Sequence, residues 1–191
     1  MTIPNFLTLV RIILIPLLVI LLLENQLGKA LGVFVVAGIT DALDGLIARM
    51  FHQKSKLGAY LDPLADKLLL VTTYLTLVHL SLLPIWLVVI VVSRDLFIVV
   101  GIMTFIIHGV KFEIQPSILS KITTVMQIIT VILALSSPIF SFHNMLLYSS
   151  CVATAVVTTA SGFHYLMTGI KIWEQSRADN DLDIKEDSQN C

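Results

Sequence analysis

The chain has 191 residues, of which 57% are hydrophobic and only 13% are charged. Soluble domains carry about 25% charged residues, so this composition indicates an integral membrane protein. The formal net charge of −1 leaves no broad basic face for phosphate groups, and we therefore expect no nucleic-acid partner.

Six apolar segments approach the roughly 20 residues that a transmembrane helix requires. Short connections join these segments, so the sequence predicts an all-α polytopic membrane protein with six transmembrane helices in one domain, residues 1–173. The acidic polar tail, residues 174–191, is expected to be disordered or to form a short helical extension. The predicted spans are residues 6–23, 30–48, 62–80, 84–107, 118–138 and 144–170.

Lysine and arginine are unevenly distributed between the connections. The connections after the second and fourth segments and the region after the sixth contain several, whereas the opposite connections contain only Lys29. The positive-inside rule then places both termini and the second connection on the cytoplasmic side. We expect an integral protein of the bacterial inner membrane, with its active site facing the cytoplasm.

Four aspartates occur within 26 residues at the facing ends of the second and third segments. They follow the pattern D-x-x-D-G-x-x-A-R-x8-G-x3-D-x3-D. The spacings of three and four residues place each pair on one helix face. Carboxylates beside apolar runs require cations or water, so this hairpin is the first candidate for a functional site. The four are Asp41, Asp44, Asp62 and Asp66.

Four converging carboxylates suit two hard divalent cations such as Mg²⁺ or Mn²⁺ rather than zinc. Two such ions can hold a diphosphate and orient an attacking hydroxyl group. Gly45, Ala48 and Gly58 leave space beside the acids for a flat ligand, and the planar fork of Arg49 suits a phosphate group.

Two other functions are compatible with acids in an apolar hairpin. A cation or proton transporter also places carboxylates within the membrane. Transporters often contain repeated halves, however, and all four acids here lie in one hairpin without a second copy. A plain helix-packing face needs neither four acids nor this spacing.

The eight fixed positions of the hairpin resemble the complete signature of the CDP-alcohol phosphatidyltransferase family. The resemblance extends to IPNFLTLVRIILIP near the start, LDPLADKLLL after the signature, SRD at 93–95 and SKITTVMQ at 120–127. It implies a six-helix membrane enzyme, usually a homodimer, that transfers the phosphatidyl group of CDP-diacylglycerol to an alcohol and releases CMP.

The resemblance also assigns roles to residues. Asp41, Asp44, Asp62 and Asp66 would ligate the two metal ions, and Asp66 would also act as the general base. The cytidine-diphosphate group would contact Gly45, Ala48, Arg49 and Gly58. Asn5 and Thr8 could contact this group or could cap the first helix. Lys67 would point about 100° away from Asp66 on a helix and could touch the diphosphate.

The acceptor is expected to be a glycerol-based alcohol, bound by Arg94 and Lys121. The opening motif, LDPLADK and the short chain resemble the branch that makes phosphatidylglycerophosphate or cardiolipin. SRD and S-K-x-x-T resemble cardiolipin synthases, and two cations typical of phosphatidylglycerophosphate synthases are missing. The chain length favours glycerol-3-phosphate, which we predict as the acceptor, with phosphatidylglycerol as the alternative.

Overall fold

The structure of the protein is a computed structural model that describes the backbone of most of the chain. The backbone ranges described are 3–51, 56–107, 118–140 and 144–189. Side chains are described for residues 9–40, 65–101, 103–104, 118–138 and 145–170. The described backbone consists of helices and the turns that join them and contains no strand, which confirms the predicted all-α class.

Six helices follow one another with short connections, one for each predicted segment. They are α1 (Ile3–Leu23), α2 (Leu27–Phe51), α3 (Lys56–His79), α4 (Ile85–Ile107), α5 (Ile118–Phe140) and α6 (Asn144–Gln189). Several helices extend beyond the apolar runs that predicted them. For example, α3 begins at Lys56, whereas the predicted segment began at residue 62. Hydropathy detects the apolar part of a helix, but the backbone continues to form its own hydrogen bonds through polar residues.

The described helices differ in how clearly they qualify as membrane spans. Ile118–Pro138 and Met145–Ile170 are long and apolar enough to cross a bilayer, while Leu9–Leu23 and Leu27–Thr40 are shorter apolar stretches. Large apolar side chains such as Phe97, Val156 and Phe163 lie exposed on the surface of the bundle. An apolar exterior is expected of a protein that faces lipid. The six predicted spans as a set remain a prediction.

The helices pack in a cyclic order. Along this ring α1 contacts α2, α2 contacts α5, α5 contacts α6, α6 contacts α4, α4 contacts α3, and α3 returns to α1. A further contact between α3 and α5 crosses the ring. α3 touches α1, α4 and α5, and α5 touches α2, α3 and α6, so the polar residues of these two helices each have three neighbouring helices to pair with.

Two turns at one end of the bundle share the same capping geometry. After α1 the amide of Gln26 donates to the carbonyl of Leu21 and that of Asn25 donates to Leu22, with Asn25 at φ 61°. The turn after α3 repeats this arrangement, with Ser81 at φ 59°. These are Schellman caps, which pair the last helical carbonyls with amides of the turn. Such closed turns allow consecutive helices to reverse direction within a few residues.

The interior of the bundle contains an apolar core and a polar seam. Leu18, Phe34, Leu87 and Leu135 are among the buried apolar residues. The seam lies between α5 and α6, where the hydroxyl groups of Thr130 and Thr154 are 2.7 Å apart. Hydrogen bonds between helices in this setting contribute modestly, about 0.6 kcal/mol on average.

The backbone of α6 continues without interruption to Gln189 and therefore passes through the predicted tail. The side chains after residue 170 lie outside the described residues. The division into a domain at 1–173 and a separate tail at 174–191 remains a prediction.

Candidate active site

The predicted general base, Asp66, forms an ion pair with Arg11. Nη1 of Arg11 in α1 donates a hydrogen bond to Oδ1 of Asp66 in α3, across 55 positions of the chain. Arg11 is completely buried, whereas the side chain of Asp66 is 36% exposed. A buried guanidinium requires an acceptor, and the close packing of α1 on α3 supplies this one. Arg11 therefore holds the carboxylate from the bundle side and leaves part of it accessible.

The other three aspartates have described backbones but no described side chains. Asp41 and Asp44 lie in α2, and Asp62 lies in α3 one turn before Asp66. Among the described side chains no group of three potential metal ligands is present, and three of the four predicted ligands fall outside that set. The four-aspartate metal site remains a prediction.

The predicted cytidine-diphosphate residues also fall outside the described side chains. The helices that contain them are α1 for Asn5 and Thr8, α2 for Gly45, Ala48 and Arg49, and α3 for Gly58. Their roles remain predictions.

A second charged cluster lies beside Asp66 and consists of Lys67, Arg94 and Asp95. Oδ1 of Asp95 accepts hydrogen bonds from Nζ of Lys67 at 2.6 Å and from Nη1 of Arg94 at 2.7 Å. The residues belong to α3 and α4, and Asp95 is only 7% exposed. Oδ2 of Asp95 is buried and has no hydrogen-bond partner among the described residues. One carboxylate oxygen thus holds two cations.

Arg94 contacts side chains of α4, α5 and α6. Its Nη2 donates to the hydroxyl oxygens of Ser120 at 2.8 Å and Ser161 at 3.0 Å, in α5 and α6. Its guanidinium carbon lies 5.7 Å from the ring centre of Tyr165, within the range of a cation–π contact. Gly162 of α6 lies beside the aliphatic part of the Arg94 side chain, where an added Cβ would lie 3.4 Å from Cγ of Arg94. Arg94 therefore connects α4 with α5 and α6.

The two predicted acceptor residues thus have different surroundings. Arg94 is 4% exposed and already makes hydrogen bonds to three side chains. Lys121 is exposed in the first turn of α5, next to Ser120. An acceptor role for either residue remains a prediction.

Sequence reasoning identified Asp66, Arg94 and Lys67 but missed the pairs that they form. The ion pair of Arg11 with Asp66 had one signal, a lone arginine inside an apolar run, which must find an acid when the helices pack. The role of Asp95 as a shared partner of two cations had no comparable signal, because it depends on how α3 and α4 meet.

Comparison with known proteins gives the family. The profile of the CDP-alcohol phosphatidyltransferases matches residues 1–160, and the chain belongs to this family.

The relatives of the chain carry two different enzyme names. The chain is 37% identical over 187 residues to a rat protein named cardiolipin synthase (CMP-forming), and 36% identical over 187 residues to the human protein of that name. Each alignment covers 89% of this chain, which spans about six-tenths (62%) of the length of these two relatives. A Bacillus subtilis relative, 33% identical over 199 residues, is named CDP-diacylglycerol–glycerol-3-phosphate 3-phosphatidyltransferase. That alignment covers 93% of this chain and 98% of the relative.

Proposed function

We propose that the protein transfers the phosphatidyl group of CDP-diacylglycerol to phosphatidylglycerol, giving cardiolipin and CMP. The observation that carries this choice of acceptor is the engagement of Arg94 by Asp95, Ser120 and Ser161. Binding of a dianionic phosphomonoester such as glycerol-3-phosphate favours several available arginine and lysine side chains. Arg94 is not available in this sense, because it is buried and paired with Asp95. The names of the rat and human relatives support the same acceptor.

Glycerol-3-phosphate, the acceptor that we predicted first from the sequence, is the second candidate. Its support is the Bacillus subtilis relative, whose name contains this acceptor and which the alignment covers almost completely. The chemistry is the same for both acceptors.

The reaction is a substitution at phosphorus that requires removal of one proton. The acceptor hydroxyl group would transfer its proton to Asp66, and its oxygen would form a bond to the phosphorus that bears the diacylglycerol. The bond between this phosphorus and the CMP oxygen would break. Arg11 would keep the carboxylate of Asp66 in position from α1 during this step.

The residues of the hairpin fit the divalent metals on which the family generally depends. Asp41, Asp44, Asp62 and Asp66 supply only carboxylate oxygens, the ligand type that suits Mg²⁺ and Mn²⁺. We propose that these four hold two such cations, with Asp66 in both roles. When bound, the ions would offset the charge of the diphosphate.

The donor nucleotide is proposed to lie at the same end of α1, α2 and α3. Asn5 and Thr8 lie within two turns of Arg11 in α1. The contact of Arg11 with Asp66 brings this part of α1 against α3. This supports the assignment of Asn5 and Thr8 to the cytidine-diphosphate group, together with Gly45, Ala48, Arg49 and Gly58 of the hairpin.

We further propose a homodimer in a bilayer, crossing it six times, with the acidic hairpin and both termini on the cytoplasmic side. The exposed apolar side chains and the two long apolar helices support a bilayer location. The distribution of lysine and arginine supports the orientation. The bacterial inner membrane remains the proposed location.

The test offers the two acceptors separately. Purified protein is supplied with CDP-diacylglycerol, Mg²⁺ or Mn²⁺, and either labelled phosphatidylglycerol or labelled glycerol-3-phosphate, and the lipid product is identified by mass. We expect cardiolipin and an equal amount of CMP, with no CMP released when acceptor is omitted. If a lipid product forms only with glycerol-3-phosphate, then glycerol-3-phosphate and not phosphatidylglycerol is the acceptor. Absence of CMP with either acceptor would contradict phosphatidyl transfer.

A further inference from the structure

The two cations that share Asp95 differ in how firmly the bundle holds them. Arg94 is 4% exposed and donates to three side chains. The side chain of Lys67 is 37% exposed, and among the described residues its Nζ donates only to Asp95. An ammonium group has three N–H donors, so two remain after this bond. Lys67 is therefore the member of the cluster that can meet a ligand.

Lys67 also lies next to the proposed base. Asp66 and Lys67 are consecutive residues of α3, and each keeps about a third of its side chain exposed, 36% and 37% respectively. Asp66 is tied to α1 through Arg11, and Lys67 is tied to α4 through Asp95. One turn of α3 therefore presents a carboxylate that can take a proton and, beside it, an ammonium group that can bind an anion.

We propose that Lys67, positioned by Asp95, binds the phosphate of the acceptor while Asp66 receives the proton of the acceptor hydroxyl group. This inference rests on the proposed function. A glycerol unit separates the reacting hydroxyl from the phosphate in phosphatidylglycerol. Consecutive helix positions point about 100° apart, so Asp66 and Lys67 would approach this unit from two directions, Asp66 at the hydroxyl and Lys67 at the phosphate. Lys67 contacts the substrate in this proposal, whereas Asp95 acts on it only through Lys67.

The charges of the cluster indicate which acceptor it favours. Lys67 and Arg94 contribute two positive charges, and Asp95 contributes one negative charge, which leaves a single net positive charge. Phosphatidylglycerol is a phosphodiester with one negative charge, so it balances the cluster. Glycerol-3-phosphate carries up to two charges and would leave one without a partner. By lowering the net positive charge of the cluster, Asp95 therefore favours a phosphodiester acceptor over a phosphomonoester.

The experiment compares kinetic constants for each substrate in matched variants. Lys67→Ala, Lys67→Arg and Asp95→Asn are measured with CDP-diacylglycerol and phosphatidylglycerol varied separately, and Lys29→Ala, an exposed lysine at the opposite end of the bundle, serves as the control. A hydrogen bond to a charged group is worth about 1.5–3 kcal/mol, so we expect Lys67→Ala to raise the KM for phosphatidylglycerol about tenfold or more. The KM for CDP-diacylglycerol should stay within about twofold, and Lys67→Arg should restore most of the acceptor affinity.

Asp95→Asn has a readout that a merely structural residue would not change. The substitution makes the cluster doubly positive, so the ratio of kcat/KM for phosphatidylglycerol to that for glycerol-3-phosphate should fall. Binding of short-chain phosphatidylglycerol without donor, measured by calorimetry on each folded variant, gives the same comparison independently of turnover. It should weaken in Lys67→Ala and remain in Lys29→Ala.

Several results would overturn the proposal. An unchanged acceptor KM in Lys67→Ala would remove Lys67 from acceptor binding, and an increase confined to the KM for CDP-diacylglycerol would assign Lys67 to the donor diphosphate instead. If the ratio of kcat/KM for the two acceptors is unchanged in Asp95→Asn, Asp95 does not determine the preference between them. If the wild-type protein uses only glycerol-3-phosphate, the proposed acceptor fails, while the Lys67→Ala comparison with that acceptor still decides the role of Lys67.

Discussion

Arg11 and Asp66 form an ion pair that connects α1 to α3 across 55 positions of the chain. The side chain of Arg11 is fully buried, whereas the side chain of Asp66 is partly exposed to solvent. The residue proposed as base is therefore held by a fully buried neighbour. Substitution of Asp66 removes the proposed base itself, whereas substitution of Arg11 removes only the side chain that holds it in position.

Asp66→Asn should abolish turnover while the protein remains folded. The amide keeps the size of the side chain and can still accept a hydrogen bond from Arg11, but it cannot take the proton of the acceptor. General-base catalysis contributes about 10²–10⁴-fold, and the loss should be at least of that order because a proposed metal ligand is also removed. CMP release measures the effect, and the thermal unfolding midpoint in detergent controls for folding. Turnover near the wild-type rate would exclude Asp66 as the base.

Arg11→Met should reduce both stability and activity. The substitution removes the cation from a buried position and leaves Asp66 without this hydrogen bond, worth about 1.5–3 kcal/mol for a charged group. We expect a lower unfolding midpoint and a lower kcat, with Arg11→Lys between Arg11→Met and the wild type. Leu18→Met, a buried site in the same helix that keeps its size and apolar character, is the matched control. Full activity in Arg11→Met would show that Asp66 needs no support from α1.

Arg94→Gln should destabilise the protein more than Ser161→Ala. The arginine substitution breaks contacts to α5 and α6 and leaves the buried Asp95 with Lys67 alone, and breaking a buried ion pair costs about 3–5 kcal/mol. Ser161→Ala removes one acceptor from Arg94 and should cost about 1–3 kcal/mol. Thermal unfolding of both variants and of the double variant tests this. Equal effects of the two single substitutions would contradict a connecting role for Arg94.

Chelation should stop the reaction reversibly. If carboxylates of the hairpin hold divalent cations, treatment with EDTA should reduce CMP release to background, and added Mg²⁺ or Mn²⁺ should restore it. Zn²⁺ prefers histidine and cysteine ligands, so a zinc salt should restore less CMP release than Mg²⁺ or Mn²⁺. CMP release after dialysis against each metal is the measurement. Activity that survives thorough chelation would contradict a metal role for the four aspartates.

Much of the architecture could be predicted from local pattern alone. Runs of Leu, Ile and Val predicted six helices, and the structure contains one for each run within its described backbone. The predicted ends were less accurate, as at α3, because hydropathy does not distinguish a polar helical turn from a loop. The spacing of the four aspartates predicts a site in the hairpin, since helical periodicity puts residues three or four apart on one face, and that site remains a prediction.

The sequence by itself determined the helical class, the order of the helices and the family signature, because these depend on residues that are close along the chain. Only the tertiary structure decided which side chains the cations bind. Arg11 meets Asp66 over 55 positions, Lys67 meets Asp95 over 28, and Arg94 meets Ser161 over 67. Each pairing depends on how α1, α3, α4 and α6 pack together. Apolar packing sets that geometry, and no spacing pattern in the sequence indicates which distant residues it brings into contact.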